Sequence, residues 1–123
     1  MTINKDLHNQ VSVGVAIALT AVADGEDVVG AVIDCQGSEG LELIFQVGAY
    51  TDGSVTPLIE ESDNNSDYTA VADANLTNTE ASAALSAAGV SSIGYVGFKR
   101  YVRATAVTAA GSTLSVGASF VKF

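Results

Sequence analysis

The chain has 123 residues and a formal net charge of −9, from fourteen acidic and five basic side chains. Its length is about that of one domain, and with 48% apolar residues it is too hydrophobic for a disordered acidic tail. A surface of this sign repels phosphate backbones, which argues against nucleic acid as a partner.

Residues 1–10 are polar and read as an N-terminal arm, with a single folded domain expected over 11–123. Lys5, the apolar run Val11–Ala23 and the triplet Ala21-Val22-Ala23 imitate a secretory signal. The run alternates, however. Val11, Val13, Val15, Ile17 and Leu19 share one parity, and Ser12, Gly14, Ala16, Ala18 and Thr20 share the other. Period two predicts a strand over Val11–Val22 with one apolar face and one small or polar face. No apolar stretch reaches the ~20 residues of a membrane helix, so no membrane association is expected.

Asp24-Gly25-Glu26-Asp27 reads as an acidic turn, and the nearly continuous apolar run Val28–Cys35 as a strand buried on both faces. After a turn at Gln36–Gly40, Leu41–Tyr50 alternates, with Leu41, Leu43, Phe45 and Val47 on one face and Glu42 and Gln46 on the other. Asp52-Gly53 supplies a hairpin turn, so Val55–Ser62 is expected to return antiparallel to the strand before it. Pro57, the sole proline, cannot donate to a ladder and places that strand at an edge or near its own start.

Asp63-Asn64-Asn65-Ser66 is a polar loop and Tyr68–Asp73 a short strand. Thr77–Ala88 is the helical candidate: Thr77 and Glu80 have capping-box spacing, and Gly89 stands at the exit. Ile93–Val96 is apolar. Phe98–Thr108 and Thr113–Phe123 are strands around the turn Ala109-Ala110-Gly111-Ser112, with Leu114, Val116, Ala118 and Phe120 on the apolar face of the second. The chain ends on Phe123, which predicts a terminus tied into the sheet. Short strands at roughly ten-residue spacing with turn signals between them predict an all-β, single-domain β-sandwich, jelly-roll-like or immunoglobulin-like, with at most one short helix.

Little in the sequence points to catalysis, and the chain is expected not to be an enzyme. A nucleophile needs a base, yet the only cysteine, Cys35, lies in an apolar run and the only histidine, His8, in a polar N-terminal stretch. A lone cysteine gives no intrachain disulfide and fits assembly in a reducing cytoplasm. Gly94-x-x-Gly97 before Lys99 lacks the spacing and the helix of a phosphate loop. Asp63-x-Asn65-x-Asp67 has the oxygen spacing that opens a calcium loop, but Tyr68 stands where the turn glycine belongs and Ala74 where the bidentate Glu belongs. That loop reads instead as side chains making their own turns. Glu60 and Glu61 are adjacent on a strand and point to opposite faces, so they are no acid–base pair. No catalytic, cofactor or metal site is expected.

One constellation stands out. Three of the five basic residues lie in Phe98-Lys99-Arg100-Tyr101-Val102-Arg103. On a strand, Lys99, Tyr101 and Arg103 share a face and Arg100 points away, and Lys122 joins them if the last two strands pair as a hairpin. Such bases either offset acids on neighbouring strands or anchor a partner, since Arg and Tyr are favoured at interface hot spots. Lys99, Arg100, Tyr101, Arg103 and Lys122 are therefore the candidate partner-contact residues.

Two stretches carry a resemblance: Gly94-Tyr95-Val96-Gly97-Phe98-Lys99-Arg100-Tyr101-Val102-Arg103, and Tyr50-Thr51-Asp52-Gly53-Ser54-Val55-Thr56-Pro57-Leu58-Ile59-Glu60-Glu61-Ser62-Asp63. Within Leu41–Thr108 they resemble small structural proteins of tailed bacteriophages, nearest to capsid cement or decoration proteins. The resemblance implies a β-rich protein, made in the host cytoplasm, that sits on the virion exterior as a homodimer or homotrimer. There it would bind the major capsid protein and reinforce the shell. Two alternatives stand beside it: a tail or head–tail junction component, and a β-sandwich module that grips a ligand or carbohydrate. The carbohydrate reading would need a groove lined by Tyr50, Tyr68 or Tyr95.

Overall fold

The structure is a computed structural model and describes residues 9, 11–22, 25–77 and 84–123. The strands are β1 (Ser12–Val22), β2 (Val28–Val29), β3 (Ile33–Asp34), β4 (Leu41–Asp52), β5 (Val55–Ser62), β6 (Thr69–Ala70), β7 (Leu76–Thr77), β8 (Gly89–Tyr95), β9 (Tyr101–Thr108) and β10 (Thr113–Lys122). One sheet has the order β1-β10-β4-β8-β7, and the other runs β2-β9-β5-β6 with β3 also on β9. All pairings are antiparallel. The first strand thus lies beside the last, the second and third beside the ninth, β4 beside β8 and β5 beside β6. This nested order is that of a jelly roll, the expected all-β sandwich. No described helix is long and apolar enough to cross a membrane.

The inner faces meet in one core. Phe45, Leu43, Val47, Ile93 and Val116 from the first sheet pack against Val55 and Val102 from the second, all fully buried. The period-two patterns of β4 and β10 deliver this, since Leu41, Leu43, Phe45 and Val47, and Leu114, Val116 and Ala118, are the buried apolar side chains of their strands.

Strand β1 departs from the expected pattern. Only Ile17 of its alternating apolar set is buried, while Val13, Val15 and Leu19 lie on the outside. The register against β10 shifts between Val15 and Ile17 and again between Ile17 and Thr20. An extra residue in a strand turns the following side chains to the other face. The inner side of this edge is already occupied. A side chain on Gly14 would strike the Phe120 ring, and Ala16 lies where Gly30 crosses with no room for a Cβ between the Ala16 and Ala104 carbonyls. The Ala16 carbonyl accepts from Ala31 N, a bond from one sheet to the other strand layer.

Other expectations are corrected. Val28–Cys35 is not one strand buried on both faces. It is two short pieces at a sheet edge, interrupted at Gly30, with Val29 and Val32 exposed. The helix over Thr77–Ala88 does not form where it is described: Thr77 belongs to β7, and Leu85 makes an isolated bridge to Val55, donating to its carbonyl and accepting from its N–H. Residues 78–83, and Glu80 with them, lie outside the described residues, as does the expected arm 1–10 apart from Asn9. A segment rich in Ala and Ser offers one large apolar side chain, Leu85, and that side chain packs on the core from an extended backbone.

Neither the Asp52-Gly53 turn nor the 109–112 turn closes a paired hairpin, because each carries the chain from one sheet to the other. Gly53 has φ +94 and its would-be Cβ lies on Ser112. Ser112 is fully buried and joins the two turns: Ser54 N donates to its Oγ at 3.1 Å, and its hydroxyl donates to the Ala109 carbonyl at 2.6 Å. Pro57 does lie on an open side of β5. Val55 and Ile59 point their outward bonds to Leu85 and Val71, and Pro57 sits between them on that side, so the β5–β9 ladder loses nothing. At the C-terminus, Phe123 is tied in as expected, exchanging backbone bonds with Gly40.

Ser112→Ala strips the half-buried Ser54 N of its side-chain acceptor. It should cost about 2 kcal/mol in urea unfolding with an unchanged slope.

Candidate functional site

Lys99, Arg100 and Lys122 gather at the end of the sandwich opposite the Ser112 turns, around the loops 35–40 and 96–100. Lys99 and Arg100 stand on the second loop rather than on a strand, because β9 begins at Tyr101. Arg100 donates to both carboxylate oxygens of Asp34, Nε at 3.0 Å and Nη2 at 2.9 Å. Lys122 donates from Nζ to the Asp34 carbonyl at 2.9 Å, so it reaches Arg100's partner across the sandwich and not through a β9–β10 hairpin. Lys99 Nζ meets Asp63 at 2.6 Å. Arg103 lies apart on the outer face of β9, donating to Glu60 at 3.2 Å under the Tyr68 ring, 4.0 Å from its centroid. Tyr101 lies beside the Arg100 guanidinium, 4.9 Å from centroid to carbon.

Each basic side chain of the candidate set is therefore held by an acid or a carbonyl of the chain itself. The Arg100 guanidinium, then the Gln36 backbone N–H, hold the Asp34 carboxyl down to about 2 from an ordinary 3.8. Asp34 in turn raises Arg100, and Asp63 raises Lys99. These pairs are partly exposed and each is worth little on its own. Together the Arg100 and Lys99 pairs tie the loop 96–100 to β3 and to the 62–67 loop.

Beneath them is a polar contact that sequence reading did not single out. Tyr95, on β8, is buried and donates to Glu61 Oε1 on β5 at 2.8 Å, while Lys99 N donates to the Tyr95 oxygen at 3.0 Å. Burial, then Glu61, pushes the phenol well above its usual range. Glu60 and Glu61 do face opposite ways, the first to Arg103 and the second into the sandwich. Gly97 passes so close to the Tyr95 ring that a Cβ there would overlap it, which explains the glycine.

The loop 62–67 makes its own turns, as expected: Asn64 Oδ1 accepts from Ser66 N and Asp67 N, and Asn64 Nδ2 donates to Asp67. Among the described residues no cluster of three or more His, Cys, Asp or Glu is placed to hold a metal ion.

Between the loops 35–40 and 96–100 lies a half-open cleft of about 520 Å3, with Cys35, Leu41 and Tyr95 among its walls and Phe98 on its rim. Burial pushes the Cys35 thiol up, and the hydrogen-bond acceptor of its Sγ is the Ile33 carbonyl at 4.0 Å. Tyr95 is committed to Glu61, and Lys99 and Arg100 to their acids. A thiol pushed up by burial is a weaker nucleophile than a free one at neutral pH. Phe98 is 96% exposed, with Val96 and Phe123 also exposed nearby in the same end of the molecule. Of Tyr50, Tyr68 and Tyr95, Tyr95 lines this cleft, largely buried and with its hydroxyl on Glu61, while Tyr50 donates to Gly53 in the far turn and Tyr68 covers Arg103.

No protein family matches the chain, and no curated protein matches it in sequence. Among solved structures, the fold is similar to that of a chain from Bacillus endospore appendages, described as a novel family of disulfide-linked pili. The TM-score is 0.51 at 10% identity, over 92% of this chain and 87% of that one. At that identity the likeness is one of fold.

Asp34 titrates below its unfolded value, so its contribution to stability is complete above about pH 4 and is lost as pH falls toward 2. Asp34→Asn should lower the melting temperature at pH 7 and flatten the loss of stability between about pH 4 and 2, read by thermal unfolding across that range.

Proposed function

We propose that this chain is a non-enzymatic structural subunit that binds the outer surface of a phage capsid and stabilises the shell, as cement or decoration proteins do. The observation that carries the proposal is Phe98. A phenylalanine with 96% of its surface in water, at the rim of a cleft whose charged groups are already paired, is a group prepared for a protein neighbour. The resemblance of Tyr50–Asp63 and Gly94–Arg103 to phage structural proteins supports the same reading, and Phe98 lies inside the second stretch.

The partners on this reading are the major capsid protein and further copies of the chain, on the virion exterior. A lattice repeats each contact many times, so modest individual affinities suffice for retention. The net charge of −9 keeps unbound subunits soluble and apart. Lys99, Arg100 and Lys122 act chiefly as the clasp that shapes the contact end, since their charges are met within the chain, with Tyr101 beside Arg100, while Arg103 is held apart by Glu60 and Tyr68.

A second reading, a tail or head–tail junction component or another filament subunit, draws support from the fold shared with the appendage chain. It does not extend to that family's disulfide linkage. Linking copies into a covalent chain takes two cysteines per copy, and this sequence has Cys35 alone.

The purified chain should bind saturably to expanded capsids that lack it, and Phe98→Ser should weaken binding by about tenfold or more while leaving the melting temperature unchanged. Absence of saturable binding contradicts the capsid reading, and rings or fibres of the purified protein under the electron microscope would favour the filament reading.

A further inference from the structure

The bulges of β1 leave an unusual surface on the first sheet. Val13 (70% exposed), Val15 (62%) and Leu19 (74%) on β1 and Val90 (67%) on β8 all lie in water, with half-buried Ile44 and Val121 on the strands between them. Cross-strand register places them on one face: Val13 beside Val121, Val15 beside Ser119, Ser119 beside Ile44 and Gln46 beside Val90. Charge is nearly absent. Strands β1 and β8 carry none, and β4 and β10 carry only Glu42, Asp52 and Lys122, the last engaged with Asp34. The rest of the molecule holds most of the fourteen acids.

The face also has relief. Gly117, on β10, has no side chain and is buried against Leu19 of the same chain, and a groove of about 220 Å3 runs alongside, with Val15 and Leu19 on one side and Ile44 and Gln46 on the other. Leu19 stands exposed at its border. A protruding leucine beside a groove is a knob and a hole in one patch, which is what two identical surfaces need in order to interlock about a two-fold axis.

We propose that this face is where two copies of the chain associate, each placing Leu19 in the groove alongside the partner's Gly117. Electrostatics favours this face for the approach of a second copy. Two molecules at −9 repel across most orientations, and this sheet is the approach that brings the fewest carboxylates together. The size fits as well. Four strands about 4.8 Å apart over about eight residues span roughly 500 Å2, so a pair would bury on the order of 1,000 Å2, the lower bound of specific interfaces. The dimer is accordingly of moderate affinity, in a subunit whose lattice supplies the rest. The inference deepens the reading of the chain as an assembly subunit. Because its test uses the purified chain alone, its failure is distinct from a failure to bind capsids.

Sedimentation equilibrium of the purified chain should show a monomer–dimer equilibrium in the micromolar range that tightens with added salt as charge repulsion is screened. Leu19→Glu, with Val90→Glu as a second variant should the first not fold, should raise the dissociation constant by about 30-fold or more. Val29→Glu, on the exposed side of the opposite sheet, should leave it unchanged. A wild type that stays monomeric at about 100 μM, or forms trimers, overturns the proposal. So does a dimer that Leu19→Glu and Val90→Glu leave intact.

Discussion

Strand β1 can pair only once β10 exists, and β4 only once β8 or β10 does. The other features of the molecule hang on this nesting. It obliges turns such as 52–54 and 109–112 to step between sheets, and that is why a buried serine links them. It also brings the C-terminal residues beside the loop 35–40, so Lys122 and Phe123 can close the end where Arg100 and Asp34 meet. Pairings so distant in sequence cost loop entropy before they return contact energy, so slow folding is the natural expectation for this topology.

Much of the sandwich is legible in the sequence, for a physical reason. Along β4 and β10 one face is buried and the other wet, so side-chain parity records orientation directly, as at Phe45 and Val116. Parity fails on β1 because two extra residues are absorbed as bulges, and nothing local to Val15 or Leu19 announces them. The cause is Phe120 and Gly30, far away in the chain. The hairpin signal at Asp52-Gly53 specifies a positive φ and a reversal. It does not say whether the returning strand joins the same sheet, which the packing of Ser112 on Gly53 decides. The capping spacing of Thr77 and Glu80 is likewise local, and for Thr77 and Leu85 it yields to the sheet positions beside Gly94 and Val55.

The contact end shows the same division. The concentration of Lys99, Arg100 and Arg103 is visible in the sequence, as is the possibility that acids of the chain neutralise it. Which acids do so, Asp34, Asp63 and Glu60, is set by tertiary position. The Tyr95–Glu61 contact joins residues 34 positions apart and has no sequence signature. Once the charges are spent internally, the exposed surface that remains distinctive is apolar: Phe98 at one end and the outer face of the first sheet.

Nested pairing is the claim on which these conclusions stand, and nuclear Overhauser contacts between backbone protons test it most directly. The account predicts cross-strand contacts between Val13 and Val121 and between Leu43 and Ile93, with none between β9 and β10 as ladder partners. A ladder joining Val107 to Ser115 across the 109–112 turn, with Val13 unpaired from Val121, would contradict it.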